Sequence, residues 1–304
     1  MAHVNPPRRI QTAMSRMPLG PATIAVPLGS VLFVAGCGLA AAWYFGVAKP
    51  NRGVPGWMLG WVGGLFALSG AFVTAKAGRH LLWKRRARSL AFAWQRDYPW
   101  PAREASDAGA PGMRQHAAGV LVAVAILVPL NFGLLLSFEK GLPPGGILEL
   151  IPLLGLVLLD LLILLSLAYL VYRAVQRQRF GRSRLVFENG PPLLLGGELR
   201  ARLEVSPLLA AAHECTATLR AVHEYMQVSG DDHTHVAEVL YEDSAPLEVS
   251  PTGSAQVRFA LPANAPATSL AEPPTRYWEL VVGGKCTGID FEAVFLLPVY
   301  ATAD

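Results

Sequence analysis

The sequence predicts an α-helical membrane domain of four transmembrane helices followed by an all-β C-terminal domain, an antiparallel sandwich. Three observations predict it. Four apolar runs are each long enough to cross about 30 Å of hydrocarbon, which takes roughly 20 helical residues. From about Leu185 onward the hydrophobic period becomes two, that of a half-buried strand. Only 16% of the 304 residues are charged, against about 25% in ordinary soluble domains, and the mean hydropathy is +0.36.

The apolar runs are approximately Thr23 to Phe45, Trp57 to Ala75, Ala117 to Phe138 and Ile151 to Tyr172. They define a membrane domain over 23–173, preceded by a tail at 1–22. The first run exceeds the core of a cleavable signal peptide, and three more follow it, so it reads as a retained span. Orientation follows from the loops. Arg8, Arg9 and Arg16 lie in the tail, and Arg79, Lys84, Arg85, Arg86, Arg88, Arg96, Arg103 and Arg114 lie between spans two and three. Arg173, Arg177, Arg179, Arg182 and Arg184 follow span four, whereas the remaining two loops hold only Lys49, Arg52 and Lys140. The positive-inside rule therefore puts both termini and the long middle loop in the cytoplasm. Cysteines 37, 215 and 286 show no paired spacing, and free thiols in a reducing compartment are expected. The net charge of +4 is clustered beside the spans, which marks topology rather than a nucleic-acid groove.

In span two, Gly60 and Gly64 form a GxxxG, and Gly63, Ala67 and Ala71 extend a stripe of small residues. Such stripes let helix backbones approach closely. Packing within the chain is the first reading and a homodimer face the second. Beyond Ala75 the pattern predicts that the helix continues, with Trp83, Ala87, Leu90, Ala91 and Trp94 on one stripe. That suits a helix at the cytoplasmic membrane surface, with Trp83, Trp94 and Trp100 at the interface and the cations near anionic lipid. Pro99 and Pro101 stop it, and "AREASDAGAPG" reads as linker, so 77–116 is expected to be an interfacial helix plus linker.

Asp160 lies near the middle of span four, where a bare carboxylate costs about 2.5–3.5 kcal/mol. Its best partner is Asn131, beside Pro129 in span three, because the two lie at similar depths. One reading is a structural hydrogen-bonded pair; the other is a proton or ion relay.

The β-domain, at 180–304, contains seven strand-like segments: "RLVFE", "GELRARLEV", "ECTATLRAVHEY", "HVAEVLYED", "SAQVRFALP", "RYWELVV" and "DFEAVFLLPV". Gly, Pro, Ser and Asp clusters separate them, as in a sandwich. Gly197 and Leu199, then Phe259, Leu261 and Pro262, then Trp278, Leu280, Gly288, Asp290, Phe291, Leu297, Pro298 and Val299 resemble the pattern of the arrestin-type sandwich, an immunoglobulin-like architecture. The membrane part and "RDYPW" (Arg96 to Trp100, with Asp97 to Trp100 its core) are similar to a bacterial inner-membrane family of unknown function that carries such a sandwich. That family tends to have further tryptophans beyond this point, where this chain has Ala102 and Ala105. The resemblance implies a fold and a location, the bacterial inner membrane, without an activity.

No catalytic pattern survives inspection. "HECTA" and "HEYMQ" lack the second histidine of HExxH, and the residues around Lys285 lack the phosphate-loop spacing. Neither a GxSxG elbow nor a dinucleotide GxGxxG occurs. "DDHTH" (231–235) offers metal-ligand types, yet it falls where a hairpin turn is expected. The sequence thus points to a non-enzyme with no cofactor, metal or catalytic residue. A membrane-anchored binding or scaffold protein, presenting the sandwich to a cytoplasmic or membrane protein partner, is the leading reading. The alternative is a small transporter or channel component built around Asp160.

Overall fold

The computed structural model describes residues 8–9, 22–47, 57–107, 116–125, 127–128, 131, 147–229, 232–271 and 273–302. They form two compact units. One comprises Leu19–Trp83 with Met113–Tyr172; the other comprises Met1–Pro18, Lys84–Gly112 and Arg173–Asp304. The helices are α1 (Ala22–Tyr44), α2 (Trp57–Ala87), α3 (Ala93–Asp97), α4 (His116–Ala125) and α5 (Ile147–Phe180).

Among the described residues three helical stretches are long and apolar enough to cross a membrane: Ala25–Tyr44, Trp57–Ala87 and Leu154–Phe180. The expected third span, Ala117 to Phe138, lies largely outside the described residues, and α4 is its described part.

Helices α1 and α2 meet through missing side chains. A Cβ on Gly36 would lie 2.3 Å from the Ala67 nitrogen, one on Gly63 2.6 Å from the Ala40 nitrogen, and one on Gly70 2.3 Å from the Phe33 nitrogen. Between helices surrounded by lipid, small residues at such spacing allow backbone contact. Gly60 faces the indole of Trp43, while a Cβ on Gly64 meets no described atom within 4 Å. The close seam therefore runs through Gly60, Gly63, Ala67 and Gly70, and of the expected Gly60 and Gly64 pair only Gly64 lies outside it. One residue along a helix is about 100° around it, which is why Gly63 and Gly64 face different surroundings.

Helix α2 ends at Ala87 instead of continuing along the expected stripe. Lys84, Arg85 and Arg86 occupy its last turn, where cations complement the helix dipole. The Ser89 hydroxyl donates to Arg86 O at 2.7 Å, and the Arg96 guanidinium donates to Leu90 O and Ala91 O at 2.9 and 3.2 Å. The Ser89 hydroxyl satisfies a carbonyl in the last turn of α2 and Arg96 holds the carbonyls of the turn beyond it, so the chain turns at 88–92 and resumes as the short α3.

The strands are β1 (Arg8–Arg9), β2 (Glu104–Ser106), β3 (Arg184–Phe187), β4 (Leu193–Leu194), β5 (Glu198–Glu204), β6 (Glu214–Ser229), β7 (Asp232–Pro246), β8 (Ser254–Ala260), β9 (Thr275–Lys285), β10 (Phe291–Leu297) and β11 (Val299–Tyr300). A five-stranded sheet has the order β1-β7-β6-β9-β10, a four-stranded sheet the order β2-β3-β5-β8, and β11 pairs with β4 in parallel. All other pairings are antiparallel. The seven expected segments are β3, β5, β6, β7, β8, β9 and β10.

Leu199, Leu203, Val257, Leu219, Trp278, Leu280, Phe295 and Leu297 belong to one buried core, with the Trp278 indole donating to Pro266 O at 2.7 Å. Leu240 is an unmatched residue of β7, because Tyr241 pairs with Ala221 and Val239 with Val222. This bulge reverses which residues face inward: Tyr241 packs on Trp278 with ring centroids 5.4 Å apart, whereas Ala237 joins a second, smaller cluster.

The expected linker is part of the sandwich. Glu104, Ala105 and Ser106 pair with Val186, Leu185 and Arg184 as β2, and Ala105 is buried in the core. A stretch with no apolar alternation is recruited because β3 offers an open edge and Ala105 fits the core beneath it.

Candidate functional site

The outer face of the five-stranded sheet is covered by residues 94–100. Trp100 packs against a cluster of Val222, Ala237, Leu270, Tyr277 and Leu296. Asp97 fixes this strap: it accepts from the Leu270 and Ala271 nitrogens, each at 2.7 Å, and from the Tyr300 hydroxyl at 2.7 Å. The Trp100 indole donates to that same hydroxyl at 2.9 Å. Burial, followed by the charge of Asp97 and its hydrogen bond, pushes the Tyr300 pKa far above that of a free tyrosine.

Under this cover both faces of β9 are buried. Tyr277 and Glu279, on the face opposite Trp278 and Leu280, are 1% and 3% exposed. Their polar groups are paired, as burial requires. Tyr277 donates to Glu224 at 2.7 Å, and Arg220 Nε lies 2.5 Å from Glu279. His235 Nε2 lies 3.5 Å from the other Glu224 oxygen.

The sheet edges differ in how they are protected. The five-stranded sheet ends at the two-residue β1, laid on the bulged β7, and at β10, whose Val294 nitrogen donates to the Asp107 carboxylate at 3.2 Å. The four-stranded sheet ends at the three-residue β2 and at β8. Strand β8 is seven residues long and pairs with β5 without interruption from Glu198–Ala260 to Glu204–Ser254. The Leu261 nitrogen donates to Gly197 O and the Val205 nitrogen to Gly253 O. In an antiparallel ladder this phase turns alternate residues outward, so the backbone groups of Gln256, Arg258 and Ala260 face away from β5. On the solvent face Arg258 stands directly opposite Arg200, a like-charge pairing that disfavours the ladder. Arg200 is paired with Glu198 at 2.6 Å; among the described residues Arg258 forms no ion pair.

In the helical unit the structure brings Asn131 and Asp160 together. The Asn131 amide donates to both Asp160 oxygens, at 3.0 and 3.1 Å. The sequence reading missed Trp61, whose indole donates to Ala125 O at 2.7 Å. A helical carbonyl normally accepts from the residue four ahead, which here is Pro129 and carries no N–H. That covalent fact is the signal that a donor from elsewhere is needed.

Of the three tryptophans assigned to the membrane interface, Trp83 stacks on His80 in α2 with ring centroids 6.1 Å apart. Trp94 stacks on Phe92, and Trp100 belongs to the sandwich cluster. Asp231 and the Asp232 and His233 side chains lie outside the described residues. Ser229 pairs with Asp232 at the end of the β6–β7 ladder. Among the described residues no group of three or more His, Cys, Asp or Glu is arranged to hold a metal. Cys37, Cys215 and Cys286 are free thiols.

No family model matches the chain, and no curated protein matches it. Among solved structures it is similar to Spo0M, a sporulation control protein from Bacillus subtilis, at 16% sequence identity and a TM-score of 0.28. The likeness covers 40% of this chain and 49% of that one, so the chain spans about half the length of the structure it matches.

Proposed function

We propose that the protein is a membrane-anchored binding protein of the bacterial inner membrane, presenting a cytoplasmic arrestin-like sandwich to a protein partner by strand addition. The observation that carries this reading is the β8 edge. Natural sheets protect their edges with short strands, bulges, prolines or side-chain covers, and four such devices protect the others. Strand β8 has none among the described residues, and its outward Gln256, Arg258 and Ala260 backbone groups match the hydrogen bonding of an added strand. Arg258 beside Arg200 favours an extended segment bearing acidic side chains.

The proposed topology, with both termini inside, has its own support. Strands β1 and β2 share the sandwich with the strands that follow α5. Hydrogen-bonded strands lie on one side of a bilayer, so the chain crosses an even number of times between them.

The test is a crosslinking capture from native membranes with the full chain and with Gln256→Pro, which removes one outward N–H and leaves the β5 ladder intact. A partner lost in the variant, at unchanged melting temperature, supports edge addition. A partner retained at wild-type yield counts against it.

A second reading, a small transporter or channel component, is favoured by one observation: Asn131 holding both oxygens of Asp160. It predicts that Asp160→Asn abolishes a flux without lowering expression. A variant that changes only yield removes that reading.

A further inference from the structure

Cys215 and Cys286 are 71 positions apart in sequence, yet the fold brings them to one end of the sandwich. Cys215 of β6 pairs with Gly284 of β9, and Cys286 follows two residues beyond, just past the end of the strand. Alternate residues share a face, so Gly284, directly opposite Cys215 and two residues before Cys286, lies on the cysteines' face, and it has no side chain. A Cβ there would lie 3.7 Å from the Cys215 sulfur, 3.7 Å from the Phe291 Cβ and 3.0 Å from a Leu209 methyl. Both cysteines pack against the main core while remaining partly exposed. Burial, and after it the charge of Cys286, raises the Cys215 pKa.

The turn that carries Cys286 is also where the end of α5 attaches. Gln176 donates to Asp290 O at 2.7 Å, Arg179 donates to Thr287 O at 2.8 Å, and Phe180 meets Phe291 edge-on with centroids 5.3 Å apart. Asp290 closes the turn by accepting from the Cys286 nitrogen at 3.1 Å, and Gly288 takes a φ of +90° that other residues rarely adopt. The strand pairing is therefore fixed at Glu214–Lys285, where the two side chains also form an ion pair across the strands. Beyond it the chain is a turn rather than a ladder.

From this geometry we infer that Cys215 and Cys286 form a redox pair that closes into an intramolecular disulfide and thereby shifts the turn gripped by α5. The oxidant is a low-molecular-weight disulfide. One cysteine thiolate attacks it, forming a mixed disulfide and expelling one thiolate of the oxidant. The second cysteine, losing its proton, attacks the first cysteine's sulfur and releases the other half as thiol. Two protein thiols are oxidised, one small disulfide is reduced to two thiols, and the electrons balance. Diagonal positions across a strand pair are separated by about 7–8 Å between Cα atoms, beyond the usual reach of a disulfide. Closure thus requires the turn at Cys286 to move toward β6, and that movement is what would transmit the redox state to Gln176 and Arg179.

The test uses the full chain in detergent with Cys37→Ser, leaving only the two thiols in question. The protein is exposed to oxidised glutathione, then denatured, and free thiols are counted by maleimide labelling with peptide mapping. The expected result is that both thiols disappear together, that a peptide linking 215 to 286 is recovered from monomeric protein, and that reductant restores both. In Cys215→Ser, Cys286 should instead persist as a glutathione adduct. Independent loss of the thiols, stable adducts on both, or no reaction at either would each overturn the inference.

Discussion

Replacing Asp97 tests whether the strap over the five-stranded sheet is held as described. Its carboxylate accepts three hydrogen bonds at 2.7 Å, two from backbone nitrogens and one from Tyr300. A hydrogen bond to a charged group contributes about 1.5–3 kcal/mol. Taking the low end for a half-buried site, Asp97→Ala loses roughly 4.5 kcal/mol in total. At about 2 °C per kcal/mol for a chain of this size, melting of the detergent-solubilised protein, followed by tryptophan fluorescence, should fall by roughly 9 °C. Asp97→Asn separates the contributions. One amide oxygen can still accept from Leu270 and Ala271, but the new NH2 faces a Tyr300 hydroxyl already taken as acceptor by Trp100. Tyr300→Phe should therefore relieve part of the Asp97→Asn defect, with a coupling of about 1–2 kcal/mol in a double-mutant cycle. An Asp97→Ala protein melting within about 1 °C of wild type, or strictly additive Asp97→Asn and Tyr300→Phe effects, would refute this account.

Other outcomes follow from the same geometry. Because the folded pKa of Tyr300 is raised, its contribution is complete below the usual tyrosine pKa near 10 and is lost as pH rises above it. The deficit of Tyr300→Phe relative to wild type should shrink by up to about 1.4 kcal/mol per pH unit beyond that point in equilibrium unfolding; a constant deficit would contradict it. Gly70→Leu should separate α1 from α2 and lower folded yield several-fold, while Gly64→Leu should leave it unchanged, both scored by size-exclusion chromatography. Asn131→Leu should reduce yield by leaving Asp160 unpaired, and Asn131→Leu with Asp160→Leu should restore it; no recovery in the double variant would exclude a purely structural pair. Trp61→Phe should destabilise by about 1 kcal/mol by leaving Ala125 O without its donor, read as a lower melting temperature.

The sequence made the seven principal strands legible because each alternates over a buried face and is bounded by turn residues. Trp278 and Phe291 could be placed in the core for that reason. The depths of Asn131 and Asp160 were likewise readable, because helical rise converts position into depth. What escaped was everything that depends on a surface supplied by another segment. Glu104–Ser106 carries no strand pattern, and it becomes β2 only because β3 has an open edge. Tyr277 and Glu279 alternate as solvent-facing residues should, and they are buried by a strap whose own sequence reads as the end of an interfacial helix. The Leu240 bulge left no mark either, since inserting one residue only shifts the phase of a pattern. The edge that stands out, β8, was legible as a strand but not as an exposed one.

The completion of the sandwich by residues from the loop between α2 and α4 sets an order of events during synthesis. The strap and β2 leave the ribosome before β3, β9 and Tyr300 exist, so they wait, unpaired, while α4 and α5 are made. The final strand, β11, ends at Tyr300, almost at the C-terminus, and Tyr300 is also what Asp97 and Trp100 hold. Closure of the sandwich unit therefore waits until Tyr300 has been made. Truncation at the far C-terminus would release the strap as surely as mutating it, and a fragment starting at residue 180 would carry a bare β3 edge and an uncovered apolar face.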